Sequence, residues 1–181
     1  MLEEGYAAVS ARKVASTAGV NEALIYYYFA NMDELFLALF REGAERSLAR
    51  LVAVLDGPQP LWGLWQLTHD FTANALTIEF IALANHRKAI KAEIASYSDK
   101  FRKLELERLS AVLEGYGVDL VRWPAASLTL LMAGISRFML IEEGFGVTTG
   151  HAEAASVIER EIAELEGRHR PLKAVPKSQP A

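Results

Sequence analysis

Residues 6–39 read YAAVSARKVASTAGVNEALIYYYFANMDELFLAL, and their punctuation decides the fold. Ser10 stands where it would cap a short helix on which Val14, Ala15 and Ala18 face inward. Gly19 then closes that helix in a left-handed turn, and Val20 supplies the buried residue that follows such a turn. Asn21 caps a second short helix from Glu22 to Phe29. Two short helices joined by a glycine turn, with the small Ala15 where they cross, make a helix-turn-helix. In that motif the second helix lies in the DNA major groove with its N-terminal residues against base edges.

Outward from the motif, Phe36, Leu39, Phe40, Leu48, Leu51, Val52 and Leu55 recur at helical spacing and predict a long helix. Ile90, Ile94, Tyr97, Phe101 and Leu104 step by four and three, and their helix runs on through Leu109 and Leu113 to a stop at Gly115. Helix-breakers are bunched at Gly57-Pro58-Gln59-Pro60, Gly115-Tyr116-Gly117, Trp123-Pro124 and Gly144 to Gly150. No run alternates with a period of two between turn signals, so the expected fold is all-α. The expected division is a helix-turn-helix DNA-binding domain over 1–46, a larger helical ligand-binding and dimerisation domain over 47–166, and a disordered tail over 167–181.

Pro124 to Ile141 is almost wholly apolar, yet it holds Ser127, Thr129, Ser136 and Arg137 and falls short of the roughly 20 residues a membrane span needs. A helix apolar on nearly every side is one covered on every side, by its own core and by something else. The expected cover is a second copy of the chain. His151 to Leu165 joins it, because Ala155, Ile158, Ile162 and Leu165 form one apolar stripe opposite Glu153, Glu161 and Glu164. Doubling the two segments predicts a four-helix interface in a homodimer.

The 181 residues are 51% hydrophobic and 23% charged, enough for one fair-sized core or two small ones. A net charge of −4 gives no bulk attraction for nucleic acid, so DNA binding must come from a local surface. With no cysteine there is no disulfide framework, thiolate nucleophile or cysteine zinc site. The start, Met1-Leu2-Glu3-Glu4-Gly5, lacks the basic cap and apolar run of a secretory signal, and a cytoplasmic protein is expected.

The motif resembles that of the tetracycline-repressor (TetR) family of bacterial transcription regulators. The matching residues are Gly5-Tyr6 before the motif, Arg12 and Val14-Ala15 in its first helix, and Ala18-Gly19-Val20 at the turn. Ile25-Tyr26-Tyr27-Tyr28-Phe29 then closes the second helix, with Asn31 and Asp33-Glu34-Leu35 opening the next. The resemblance implies base contacts from Arg12, Glu22, Ala23 and Tyr26, phosphate contacts from Tyr27 and Tyr28, and a cap at Asn21. Ser10 is counted with this DNA-facing set. A guanidinium suits guanine edges and a phenol suits phosphate oxygens. Residues on one helix diverge by about 100°, so Tyr26, Tyr27 and Tyr28 cannot all be core. Two positions depart from the family: Met32 stands where a phosphate-binding lysine is usual, and Leu24 where a threonine is common.

Family members carry a complete helix before the glycine and aromatic, which walls the domain's core; here Met1-Leu2-Glu3-Glu4 occupies that place. Residues 1–46 hold Arg12, Lys13, Arg41 and Arg46 against seven carboxylates, a balance of −3. The expectation is that the native polypeptide begins upstream of Met1 with an amphipathic, partly basic helix.

No catalytic constellation can be assembled. His69 and Asp70 are neighbours and point to different helix faces, and no metal-ligand spacing such as H-E-x-x-H occurs. The basic run Arg87, Lys88, Lys91, Lys100, Arg102 and Lys103 reads as a solvated helix face. The resulting expectation is a ligand-responsive regulator, not an enzyme, with no cofactor, no metal and no membrane. As a dimer it would bind a palindromic operator in double-stranded DNA and respond to a small apolar effector. The effector would lie among Trp65, His69, Phe80, His86, Phe101, Met132 and Phe138. The competing expectation is an all-α small-molecule-binding protein that has lost DNA binding.

Overall fold

The computed structural model describes residues 1–170; residues 171–181, placed in the tail by the sequence, lie outside the described residues. A single 3-10 turn (Tyr6–Ala8) precedes eight α-helices, and no strand occurs among the described residues. The helices are α1 (Ala11–Ala18), α2 (Glu22–Tyr28), α3 (Met32–Leu55), α4 (Pro60–Thr68), α5 (Phe71–Ala84), α6 (Lys88–Gly115), α7 (Ala125–Glu143) and α8 (His151–Glu166).

The helix-turn-helix forms for the reasons its sequence suggests. Ser10 Oγ accepts from the Lys13 amide at 3.3 Å, which caps α1. Gly19 takes φ 68°; its N–H donates to Ser16 O at 3.3 Å and that of Val20 to Ala15 O at 2.9 Å. Those two bonds close a Schellman motif around the one residue type that adopts this φ at no steric cost. Asn21 Oδ1 then accepts from Ala23 N at 2.9 Å and starts α2. Asn31 caps α3 through Glu34 N at 3.1 Å while the Glu34 carboxylate reaches back to Ala30 N at 2.9 Å.

Two apolar clusters organise the packing, and α3 belongs to both. Its first half gives Phe36 to a cluster with Phe80, Leu83 and Ala84 of α5 and Ile90 of α6. Its second half gives Leu51 and Leu55 to the main core, with Leu61, Trp62, Leu64 and Trp65 of α4, Leu109 and Leu113 of α6, Met132 of α7 and Ile162 of α8. The boundary set between residues 46 and 47 therefore falls inside one continuous helix. A 24-residue helix spans about 36 Å, so whatever tilts its far end moves the helix-turn-helix.

Long-range polar contacts pin the second domain. Oε1 of Glu166 accepts from Leu61 N at 2.8 Å and Oε2 from Trp62 N at 3.1 Å, so the last residue of α8 caps the first turn of α4. Tyr116 Oη also donates to that carboxylate at 2.8 Å. Residues 167–170, assigned to the disordered tail, instead dock on α4: Trp62 Nε1 donates to Gly167 O at 2.9 Å, and Arg170 N donates to Gln59 Oε1 at 2.8 Å. Their backbone polar groups find partners that composition does not reveal.

Three inward assignments are corrected. Ala18 and Val20 are exposed and Val14 is half-buried. The side of α1 that carries Val14 and Ala18 faces a groove, floored by Leu35, Phe36 and Leu76, where a wall was expected. Ile162 is buried in the main core and Ile158 packs against it, so neither lies on an outer face. The outward apolar residues are Leu130, Leu131, Phe138 and Ile141 on α7 with Val157 and Leu165 on α8.

Candidate nucleic-acid interface and effector cavity

α2 buries no residue of its own, and it packs on α1. Ile25 and Phe29 are half-buried and hold the helix down, while Tyr26, Tyr27 and Tyr28 are 51%, 79% and 68% exposed. All three rings thus lie outside the core. The Tyr27 and Tyr28 rings meet edge to face at 5.1 Å, which orders an exposed phenol pair. Glu22, Ala23 and Leu24 are exposed in the first turn of the same helix. Arg12 is exposed near the start of α1, and no ion pair engages it among the described residues. Ser10 is exposed as well, though its Oγ is committed to the cap. The DNA-facing set predicted from the sequence therefore lies on the solvent side of one small two-helix unit.

Several charges of the head are already paired, two of its carboxylates with cations of α6 or the turn before it. Glu4 pairs with Lys13, Asp33 with Arg87 and Glu45 with Lys100. Arg41 makes a bidentate pair with Glu93 of α6 at 2.7 and 2.9 Å, and that guanidinium holds the Glu93 carboxyl below the usual range. Glu22 is the one carboxylate on α2.

The head is joined to the body through Gly5-Tyr6. Gly5 takes φ 74°, a conformation open to glycine, and this turns the Tyr6 amide onto Oε2 of Glu79 at 2.6 Å. The Gly-Tyr pair, matched to a family by pattern alone, is thus a tether to α5. Glu79 went unnoticed in the sequence because nothing local marks a helical glutamate as the acceptor for an amide 73 residues away.

The seven residues expected around an effector are not brought to one place. Trp65 and Met132 are main-core residues with Phe101 packed against them, and Phe80 sits in the other cluster. His86 is exposed and stacks on Tyr6 at 6.5 Å, and Phe138 is 61% exposed on the outer side of α7. The reason is physical: large side chains at helical spacing fill space first. His69 does line a cavity of about 240 Å³, together with Thr68, Asn74, Ser136, Met139, Glu143, His151 and Ala155. A second, mainly apolar cavity of about 410 Å³ lies between Leu61, Leu113, Trp123, Met132 and Ile162 and reaches the outer residues Leu131, Val157 and Leu165.

Ser136, Thr68 and His69 form a chain of short contacts at the first cavity. Thr68 Oγ1 donates to Trp65 O at 2.8 Å, Ser136 Oγ lies 3.0 Å from Thr68 Oγ1 and 2.9 Å from Met132 O, and His69 Nδ1 lies 2.8 Å from Trp65 O. Across the cavity His151 Nε2 lies 2.8 Å from Glu142, a hydrogen bond that raises the imidazole's pKa.

α7 is the one helix among the described residues long and apolar enough to cross a membrane, with a mean hydropathy of 1.4. Its inner side buries Thr129, Met132, Ser136 and Met139 against the core, and its outer side is the apolar strip just described. The two sides together make it apolar over most of its surface, with Thr129 and Ser136 the buried polar exceptions.

An all-α chain with a capped, tyrosine-bearing second helix and a long connecting helix defines a helix-turn-helix DNA-binding protein. Residues 1–39 match the family model for bacterial regulatory proteins, tetR family, so the N-terminal domain is that of a TetR-family transcriptional regulator. No curated protein and no solved structure matches the chain.

Proposed function

We propose that the protein is a homodimeric, ligand-responsive repressor that acts in the cytoplasm on a two-fold symmetric operator. The observation that carries this reading is α2: seven residues, none buried, with three exposed tyrosines behind an exposed Glu22-Ala23 turn. A helix held down only by half-buried Ile25 and the Phe29 that follows it has most of its surface free for another molecule. Arg12, Glu22, Ala23 and Tyr26 read base edges, and Tyr27 and Tyr28 hold phosphates. The outer apolar strip of α7 and α8, centred on Gly134, supports a second copy packed there as a four-helix bundle. A ligand that prefers one spacing of the two heads shifts operator affinity by its differential binding to the two states. Gel-shift titration of the full chain against the promoter region of its own gene tests this reading. A shifted band, lost when Tyr27 and Tyr28 are both alanine, is the expected result; no shift at any protein concentration favours the alternative of a binding protein without DNA affinity.

A further inference from the structure

We infer that the cavity between the end of α4, the start of α5, α7 and α8 is a site for a small organic ammonium ion. Its volume of about 240 Å³ lies below the roughly 300–1,000 Å³ of drug-sized sites, so its occupant is compact. Met139, Leu140 and Ala155 give it an apolar floor for a hydrocarbon or aromatic body.

The hydrogen-bond inventory decides the polar end. A carbonyl oxygen can only accept, so His69 Nδ1, 2.8 Å from Trp65 O, carries the proton of the neutral ring and Nε2 is left as an acceptor. Thr68 spends its hydroxyl proton on Trp65 O at 2.8 Å. Asn74 spends one of its two amide protons on Thr68 O, which leaves Oδ1 to accept beside one remaining N–H. Ser136 spends its proton on Met132 O at 2.9 Å or on Thr68 Oγ1 at 3.0 Å. The protons of Thr68, Ser136 and His69 Nδ1 are spent inside the chain, so acceptors outnumber free donors at this end of the cavity.

Charge points the same way. His151 is set between two carboxylates, with Nε2 at 2.8 Å from Glu142 and Nδ1 at 3.5 Å from Glu143. Glu143 lines the cavity and Glu142 backs His151, so these three groups carry net negative charge whether or not the imidazole holds its second proton. Nδ1 makes no hydrogen bond and is sealed from solvent, so it offers nothing to an anion. A carboxylate leaves these acceptors unpaired and a neutral hydroxyl donates to only one of them; an ammonium group, with up to three N–H donors and a positive charge, satisfies several at once. The sequence favoured a mainly apolar effector, and the cavity adds a cation to it.

The effector role of this site, though not the site itself, rests on the regulatory reading above. Asn74 and Glu79 lie five residues apart on α5, about 7.5 Å along its axis, and Glu79 holds the Tyr6 amide of the head. A ligand drawn between α5 and α7 therefore pulls on the element that carries the tether.

Isothermal titration of the full chain with butylamine, benzylamine, benzyl alcohol and benzoate tests the inference. At least one amine is expected to bind about tenfold or more tightly than benzyl alcohol, and benzoate not at all. Glu143→Gln should cost the amine about tenfold and leave benzyl alcohol unchanged. Ala155→Phe should fill the cavity and abolish binding, with circular dichroism as the check on folding; if that variant is unfolded, the Glu143→Gln contrast decides. Absence of amine binding, equal binding of amine and benzoate, or full amine affinity in Glu143→Gln would overturn the site. Operator titration separates the two claims. Amine binding without a change in operator affinity keeps the site and removes its effector role, while operator binding with no amine binding removes the site and keeps the regulator.

Discussion

The Tyr6 amide donates to Oε2 of Glu79 at 2.6 Å, so the helix-turn-helix is tied by main chain to the middle of α5. Gly5 makes this bond possible, since its φ of 74° aims the amide at the carboxylate. α5 and α3 reach the head together, through Phe36 and Phe80 in one cluster.

Glu79→Ala should destabilise the chain by about 1.5 kcal/mol, the worth of a hydrogen bond to a charged group at a half-buried site. Urea denaturation reads it. Gly5→Ala should cost a similar amount or more, because an L side chain is strained at that φ. Wild-type midpoints in both variants would show that the tether is not energetically coupled to the fold.

Glu166→Ala removes the acceptor for Leu61 N, Trp62 N and Tyr116 Oη at once. The first amides of α4 are then left without their cap, and a loss of about 2–3 kcal/mol is expected. Glu166→Gln should recover part of that loss in the same denaturation series, because it keeps an acceptor oxygen without the charge.

Burial raises the pKa of Glu105, which stands within 3.2 Å of Arg102. Its folded pKa lies above its unfolded one, so this group favours folding at acid pH and loses that contribution as pH rises from 4.5 through the raised value. Glu105→Gln should therefore be nearly neutral at acid pH and relatively more stable than wild type at neutral pH. Thermal melts across that window check it; a gap that narrows with rising pH would contradict the assignment.

Leu131→Glu with Phe138→Glu should give monomers in sedimentation velocity while helicity is retained, since both side chains already face outward. Ile158→Glu with Ile162→Glu should instead unfold the chain, because those side chains pack inward on Leu61 and Leu113. A dimer that survives the first pair would move the interface away from this strip.

Much of the fold was legible because it is written locally. Ser10, Gly19, Asn21 and Asn31 punctuate four helix ends, and each makes the bond its residue type suggests. Helical period gave α3, α6, α7 and α8 within a few residues of their ends. Periodicity was a poorer guide to which stripe faces inward on a helix apolar all round. Hence Ile158 and Ile162 turn toward the chain's own core, and Phe138 turns outward, against the expectation from spacing. The exposure of the residues proposed to face DNA follows from their sharing one short helix and its approach. The cavity could not, since His69, Asn74, Ser136 and His151 are gathered from four helices, and only the folded chain shows which of their protons are already spent.

The central claim is that α2 reads double-stranded DNA, and selection from a random duplex library by the full-length chain tests it most directly. The account predicts enrichment of a two-fold symmetric site with half-sites roughly one helical turn, about 34–36 Å, or a multiple of it apart. Affinity should fall steeply with salt and be lost in Tyr27→Ala with Tyr28→Ala at unchanged thermal stability. No enrichment, or enrichment that persists undiminished in that double variant, would contradict it.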